Sequence, residues 1–127
     1  MTYRNFVRRT AVIDFGLFVV LALPYVSIYV LGLLFSLGER LGDLRALPEL
    51  SDPFVMLSIN LIGVFGLFTV WLRGQGTLEN VGPAIGVLKI FAAGLFAFSV
   101  FSGAPLILLV FTLTDAITGM RLLLKRN

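Results

Sequence analysis

The sequence predicts an all-α, polytopic membrane protein, folded as a bundle of four transmembrane helices. Of its 127 residues, 58% are hydrophobic and only 13% are charged, and the mean hydropathy is +1.00. Soluble domains usually carry about 25% charged residues. Helical runs of about 20 apolar residues cross the hydrocarbon layer of a membrane, and long apolar runs fill most of this chain. One membrane domain covering residues 1–127 is therefore expected.

Four predicted spans account for these runs. They cover approximately residues 10–37, 53–72, 83–101 and 105–124. The first exceeds the thickness of the bilayer core, so it is expected to tilt, to kink or to extend beyond the membrane. Pro24 offers the kink, because a proline inside a helix removes a backbone donor. The last two spans are expected to fold back on each other at residues 102–105, Ser-Gly-Ala-Pro.

A polar segment, residues 38–52, separates the first two spans and is predicted to be periplasmic. Its leucines recur three residues apart, at Leu41, Leu44, Leu47 and Leu50. This spacing predicts a short interfacial helix broken at Pro48, and a solvated loop is the alternative. Asp52 followed by Pro53 is typical of a helix start, with an N-cap and a proline at the first helical position.

The basic residues predict the orientation of the chain. With both termini in the cytoplasm, the inner side holds Arg4, Arg8, Arg9, Arg73, Lys89, Arg121, Lys125 and Arg126, and the outer side holds Arg40 and Arg45. This bias follows the positive-inside rule. Trp71 and Arg73 close the second span, which predicts a ring at headgroup level and a charge outside the membrane. We expect a multi-pass protein of the bacterial inner (plasma) membrane with cytoplasmic N- and C-termini.

Four polar residues inside the predicted spans are the candidate functional site. They are Asp14, Asn60, Lys89 and Asp115. In an antiparallel hairpin Lys89 lies opposite Thr118, an axial offset of about 4.5 Å from Asp115. Asp14 enters from the same side, so the three charges are expected to cluster. They are either a structural ion pair that fixes helix packing or a proton- or ion-coupled site. Asn60 is expected to hydrogen-bond across a helix interface.

Small residues predict where the helices approach most closely. Gly82, Gly86 and Ala93 fall on one face of the third span, together with Lys89, and Gly119 lies on the face of Asp115. Small side chains on one face let helix backbones approach each other in a membrane. The same face could instead serve a homodimer.

Several kinds of chemistry are excluded by composition. The chain has neither cysteine nor histidine, which excludes disulfides, thiolate chemistry and histidine-ligated metal centres. No nucleophile–base pair and no phosphate-binding glycine motif is present. We therefore expect no catalytic residue, no metal and no cofactor. The net charge of +3 is attributed to membrane orientation, so no nucleic-acid partner is expected.

Short motifs suggest a family. Asp14-Phe15-Gly16 occurs early in the first span, Asn60-Leu61-Ile62-Gly63 and Trp71-Leu72-Arg73 lie in the second, and Asp115 lies in the last. In this order of features the chain resembles the DoxX-like group of small bacterial membrane proteins. The resemblance implies a four-helix bundle and at most an accessory role to a membrane redox or lipid-handling complex. No catalytic residue can be carried over to this chain from the resemblance.

Two other families of small four-span proteins share single motifs with the chain. The asparagine motif beginning at Asn60 looks like that of the fluoride channels, and residues 96–101 resemble their phenylalanine box. Ala97 and its neighbours replace the threonines of that box, and the first-span arginine of that family is missing. Asp14 is loosely similar to the membrane-embedded acid of small multidrug exporters.

Two functions remain open from the sequence. The first is a non-enzymatic accessory or interaction subunit of a membrane complex, surrounded by the lipid bilayer and bound to a protein partner or to copies of itself. The alternative is a small, homodimeric ion- or proton-coupled transporter or channel that uses the intramembrane charges.

Overall fold

The computed structural model describes residues 2–75 and 81–124. Within these ranges 84% of the residues are helical and there is no strand, which confirms the all-α prediction. The elements are α1 (Tyr3–Ala22), α2 (Pro24–Arg40), α3 (Pro53–Gly74), α4 (Val81–Phe101), a 3-10 turn (Leu106–Leu108) and α5 (Leu109–Leu124). By length and composition, three helical segments can cross a membrane: Pro53–Gly74, Val81–Phe101 and Leu106–Leu124. The bent pair of α1 and α2 would make a fourth span.

The predicted first span is not one kinked helix. It is broken at Leu23, and the axes of α1 and α2 differ in direction by 109°. Leu23 is extended, with φ −93° and ψ 116°, because the ring of a following proline excludes the helical conformation. Pro24 therefore starts a new helix, where its missing N–H costs nothing. The sequence predicted a change of direction at Pro24. The 109° bend corrects the expectation of one kinked helix.

The helices associate as two antiparallel pairs, α1 with α3 and α4 with α5. The first pair is close enough at Gly63 that an added Cβ would lie 2.6 Å from the Ala22 Cα. In the second pair, a Cβ on Gly86 would lie 3.0 Å from the Gly119 carbonyl oxygen. Only glycine permits such close backbone approach.

The two ends of the described chain lie at the same end of the bundle, here called the terminal end. The Tyr3 hydroxyl donates a hydrogen bond of 2.8 Å to the Leu122 carbonyl. Phe6, Ile85 and Leu122 form a buried apolar cluster beside it. The start of α1, the start of α4 and the end of α5 are therefore packed together.

The opposite, loop end carries the polar segment. Its residues 38–40 are the last turn of α2, and residues 41–52 form a loop between α2 and α3. The predicted interfacial helix is therefore wrong, and the loop alternative is correct. Glycines with positive φ end two helices here, Gly42 (φ 95°) after α2 and Gly103 (φ 107°) after α4. In each case the amide of the glycine and the amide of the next residue donate to carbonyls of the last helical turn, as in a Schellman motif. Leucine periodicity alone could not reveal that Gly42 stops the helix.

Two charged side chains attach this loop to the α4–α5 turn. The Arg45 guanidinium donates hydrogen bonds to the carbonyls of Val100 and Ala104. The Asp43 carboxylate accepts one from the backbone amide of Leu106. Helix ends leave such backbone groups without helical partners, so the loop satisfies them and fixes its own position.

Replacing Arg45 with glutamine should release this loop. Hydrogen bonds to a charged group contribute about 1.5–3 kcal/mol, so we expect faster proteolytic cleavage within residues 41–52 while the helices stay intact. Arg40→Gln is the matched control, since Arg40 is exposed at the end of α2. Equal cleavage rates in the two variants would contradict the attachment.

Candidate functional site

Four charged side chains, one from each of α1, α3, α4 and α5, form a continuous series of ion pairs. Arg73 Nη2 lies 2.9 Å from Asp14 Oδ2. Lys89 Nζ lies 3.1 Å from Asp14 Oδ2 and 2.8 Å from Asp115 Oδ1. We call Arg73, Asp14, Lys89 and Asp115 the charge network. Its order alternates cation and anion, so each neighbour attracts the next.

The antiparallel packing of α1 and α3 explains the first pair. Asp14 and Thr10 are one turn apart on the buried face of α1, and that face lies against the last turn of α3. There the Arg73 guanidinium donates to Asp14 and, at 3.2 Å, to the Thr10 hydroxyl. Its Nε donates to the Thr69 carbonyl at 3.3 Å. Every guanidinium nitrogen therefore has an acceptor.

Arg73 is the functional residue that sequence reasoning missed. We expected its charge outside the membrane, but its side chain is 0% exposed and points into the bundle. The reason is that the Asp14 carboxylate on α1 attracts the Arg73 guanidinium, which lies beside it because α3 runs antiparallel to α1. The signal was present in the sequence, because the predicted topology places the start of the first span and the end of the second on the same side.

Lys89 connects the two helix pairs. It lies on α4, contacts Asp115 on α5, and reaches across to Asp14 on α1. Its side chain is 12% exposed, so the ammonium is held inside the bundle. The sequence places Lys89 and Asp115 within reach of each other, with Asp14 nearby, and the structure brings all three together.

The electrostatics of the network favour a structural role. Two cations and two anions sum to zero, and each charge lies within hydrogen-bond distance of an opposite one. Burial costs less free energy for a paired charge than for an isolated one, because the partner offsets part of the desolvation cost. Across residues 2–75 and 81–124, no buried side-chain nitrogen or oxygen lacks a hydrogen-bond partner. The arrangement can therefore hold four helices in one register.

Asn60 does not belong to the charge network. Its amide nitrogen donates to the Leu21 carbonyl at 2.8 Å and to the Ser27 hydroxyl at 3.2 Å. These groups flank the break between α1 and α2, where helical hydrogen bonding is interrupted. The expected bond across a helix interface is present, and its role is to satisfy a carbonyl at the end of α1. Asn60 was predicted to cluster with the three charged residues. The structure corrects this prediction, because the partners of Asn60 lie at the break between α1 and α2.

The predicted packing residues are all buried, but they serve different contacts. Gly86 and Gly119 face each other between α4 and α5. Gly82 instead faces α1, where an added Cβ would lie 2.9 Å from the Tyr3 ring carbon Cζ. Ala93 is 5% exposed. The small face of α4 is therefore used inside the chain over its first half.

The part of the chain that the structure describes contains no group of three or more acidic, histidine or cysteine side chains suited to a metal ion. The contacts of the network are ion pairs between aspartate and arginine or lysine. Comparisons with known proteins return no match, because no family model, no curated protein and no solved structure is significantly similar to this chain.

Proposed function

We propose that this protein is a non-enzymatic accessory subunit of a bacterial inner-membrane complex, DoxX-like in build. In this proposal the chain has four spans, the first of them broken at Leu23, and both termini lie in the cytoplasm. The observation that carries the proposal is the saturated charge network. Its acids are held by Arg73 and Lys89, so they are used to join helices and are not free to bind a substrate.

The distribution of charge supports the orientation. Arg4, Arg8, Arg9 and Arg121 are exposed at the terminal end. The loop end carries the acids Glu39, Asp43, Glu49 and Asp52 beside its two arginines. Cytoplasmic loops and tails are enriched in basic residues, which assigns the terminal end to the cytoplasm.

The exposed face of α3 offers a surface for a protein partner. Six of its eight exposed large apolar side chains recur at alternating intervals of three and four residues: Phe54, Leu57, Leu61, Val64, Phe68 and Trp71. This is the spacing with which one helix packs along another. The other two, Ile62 and Phe65, lie beside this row. We assign the partner to this row of residues, called the α3 seam, because it extends along the whole helix.

Co-purification from a mild detergent tests the accessory role. We expect a larger membrane protein at fixed stoichiometry, released by the double variant Phe54→Ala/Phe68→Ala. The matched control is Phe91→Ala/Phe98→Ala, which removes two phenylalanines of similar exposure from α4. A homodimer with no other protein would contradict the accessory role, and release by the α4 variant would contradict the choice of face.

The alternative is a small homodimeric transporter or channel coupled to protons or ions. One observation favours it. Asp115 ends the charge network, has one cation partner among the described residues, and is 21% exposed, more than the other three side chains. A carboxylate at this position is the group of the network best placed to exchange a proton.

Replacing Asp115 with asparagine distinguishes the two functions. The accessory role predicts that the free energy of unfolding falls by about 1–3 kcal/mol. This is less than for a fully buried ion pair, because Asp115 is partly exposed. It also predicts no Asp115-dependent ion flux in reconstituted liposomes. The measurements are the thermal midpoint in detergent and the proton flux of both proteins. Unchanged folding together with flux that the variant abolishes would establish the transporter instead.

A further inference from the structure

The charge network, the core and the loop contacts leave one basic surface without a role. It is a groove of about 520 Å³ on α1, lined by Asn5, Arg8, Arg9, Val12 and Ile13. These positions recur at intervals of three and four residues, so they form one stripe on the helix. The stripe turns away from the buried Asp14 and faces the surroundings of the bundle.

The groove has a polar half and an apolar half. Arg8 and Arg9 are exposed, and within the described residues neither has an acidic partner. One turn further along α1, Val12 is 69% and Ile13 is 73% exposed. Gly16 continues the stripe, and an added Cβ there would meet no atom within 4 Å.

The depth of these groups matches a membrane interface. Asp14 pairs with Arg73 inside the bundle, and Arg9 lies five residues nearer the terminal end, about 7.5 Å along the helix axis. A step of that size is comparable to the thickness of the headgroup region on one side of a bilayer. The arginines therefore lie on the terminal side of an open apolar strip, in the order that headgroups and acyl chains have in a bilayer.

We propose that this groove binds one anionic phospholipid at the terminal end of the bundle. The two guanidinium groups hold the phosphate of the headgroup, because arginine offers several donors in a geometry that suits phosphate oxygens. The Asn5 amide lies beside them as a further donor. The acyl chain lies along Val12 and Ile13 into the space at Gly16. The apolar half selects a lipid over a free phosphate ion.

Native mass spectrometry of the detergent-purified protein tests the proposal. The probes are phosphatidylglycerol and phosphatidylcholine with the same acyl chains. We expect the wild type to prefer phosphatidylglycerol. Arg8→Gln and Arg9→Gln should each weaken its binding about 5-fold, and the double variant roughly 30-fold, equivalent to about 2 kcal/mol. Both arginines are exposed, so the variants should stay folded.

Arg121→Gln is the matched control, because Arg121 is an exposed arginine at the same end but outside the groove. It should change binding less than 2-fold. An equal loss in this control would show a general surface-charge effect and overturn the site. Equal binding of the two lipids would overturn the headgroup assignment. Displacement of the lipid by glycerol phosphate or inorganic phosphate at equal concentration would overturn the choice of a lipid.

Discussion

Asp14→Asn is expected to cause the largest loss of folded protein of any single change in the chain. The variant leaves the guanidinium of Arg73, whose side chain is 0% exposed, without its anionic partner and near the ammonium of Lys89. The remaining anion, Asp115, pairs with Lys89 only, among the residues that the structure describes. Removing one partner of a buried ion pair costs about 3–5 kcal/mol. The thermal midpoint in detergent and the monodisperse fraction on size exclusion measure the loss.

Glu39→Gln is the control for removing one carboxylate, since Glu39 is exposed at the end of α2. A second variant tests the network itself. Asp14→Asn combined with Arg73→Gln removes one anion and one cation, and it leaves the Lys89–Asp115 pair in place. We expect the double variant to be roughly 1–3 kcal/mol more stable to unfolding than Asp14→Asn alone. If Asp14→Asn were as stable as Glu39→Gln, the charge network would not hold the bundle together.

Gly63→Ala is expected to separate α1 from α3. The added Cβ would lie 2.6 Å from both the Ala22 Cα and the Leu21 carbonyl carbon. These are backbone atoms, so no side-chain rotation relieves the contact and the helix itself must move. Overpacking of a tight interface costs about 1–3 kcal/mol, and we expect a value near the upper end. Chemical denaturation in detergent would measure the loss of stability.

Gly94→Ala is the matched control for this change. Gly94 also lies in the interior of a long apolar helix, but an added Cβ would meet nothing within 4 Å. Alanine is intrinsically better than glycine in a helix by roughly 0.5–1 kcal/mol, so the control should be neutral or slightly stabilised. Equal effects of the two substitutions would mean that α1 and α3 are not in close contact.

Hydropathy and turn residues predicted most of the helical architecture. The start of α3 at Pro53 follows from Asp52, whose carboxylate accepts hydrogen bonds from the amides of Phe54 and Val55. The antiparallel hairpin of α4 and α5 follows from the turn at residues 102–105. Both are local effects, since a cap or a glycine acts on backbone groups within a few residues. The 109° bend at Leu23 was not predictable, because a proline permits a break without setting its angle.

The part of the candidate site that depends on depth along a helix was predictable from the sequence. Lys89 and Asp115 lie at similar depth in an antiparallel hairpin, and the structure separates their charged atoms by 2.8 Å. Arg73 was assigned to the membrane surface because interfacial arginines usually face water. Its inward direction depends on Asp14, a residue 59 positions away in the chain. Asn60 was grouped with the charges by type, whereas its partners lie at the break in the first span.

The sequence by itself determined the all-α class, an apolar content typical of membrane proteins, the positions of α3, α4 and α5, and the imbalance of charge between the two ends of the bundle. These properties are sums over neighbouring residues, so composition and order are enough to define them. The tertiary structure alone decided that Arg73 completes the charge network, that Asn60 contacts the break between α1 and α2, and that Arg45 attaches the α2–α3 loop to the α4–α5 turn. Each of these depends on which helix faces which, and that choice follows from close packing at glycines such as Gly63 together with the pairing of buried charges.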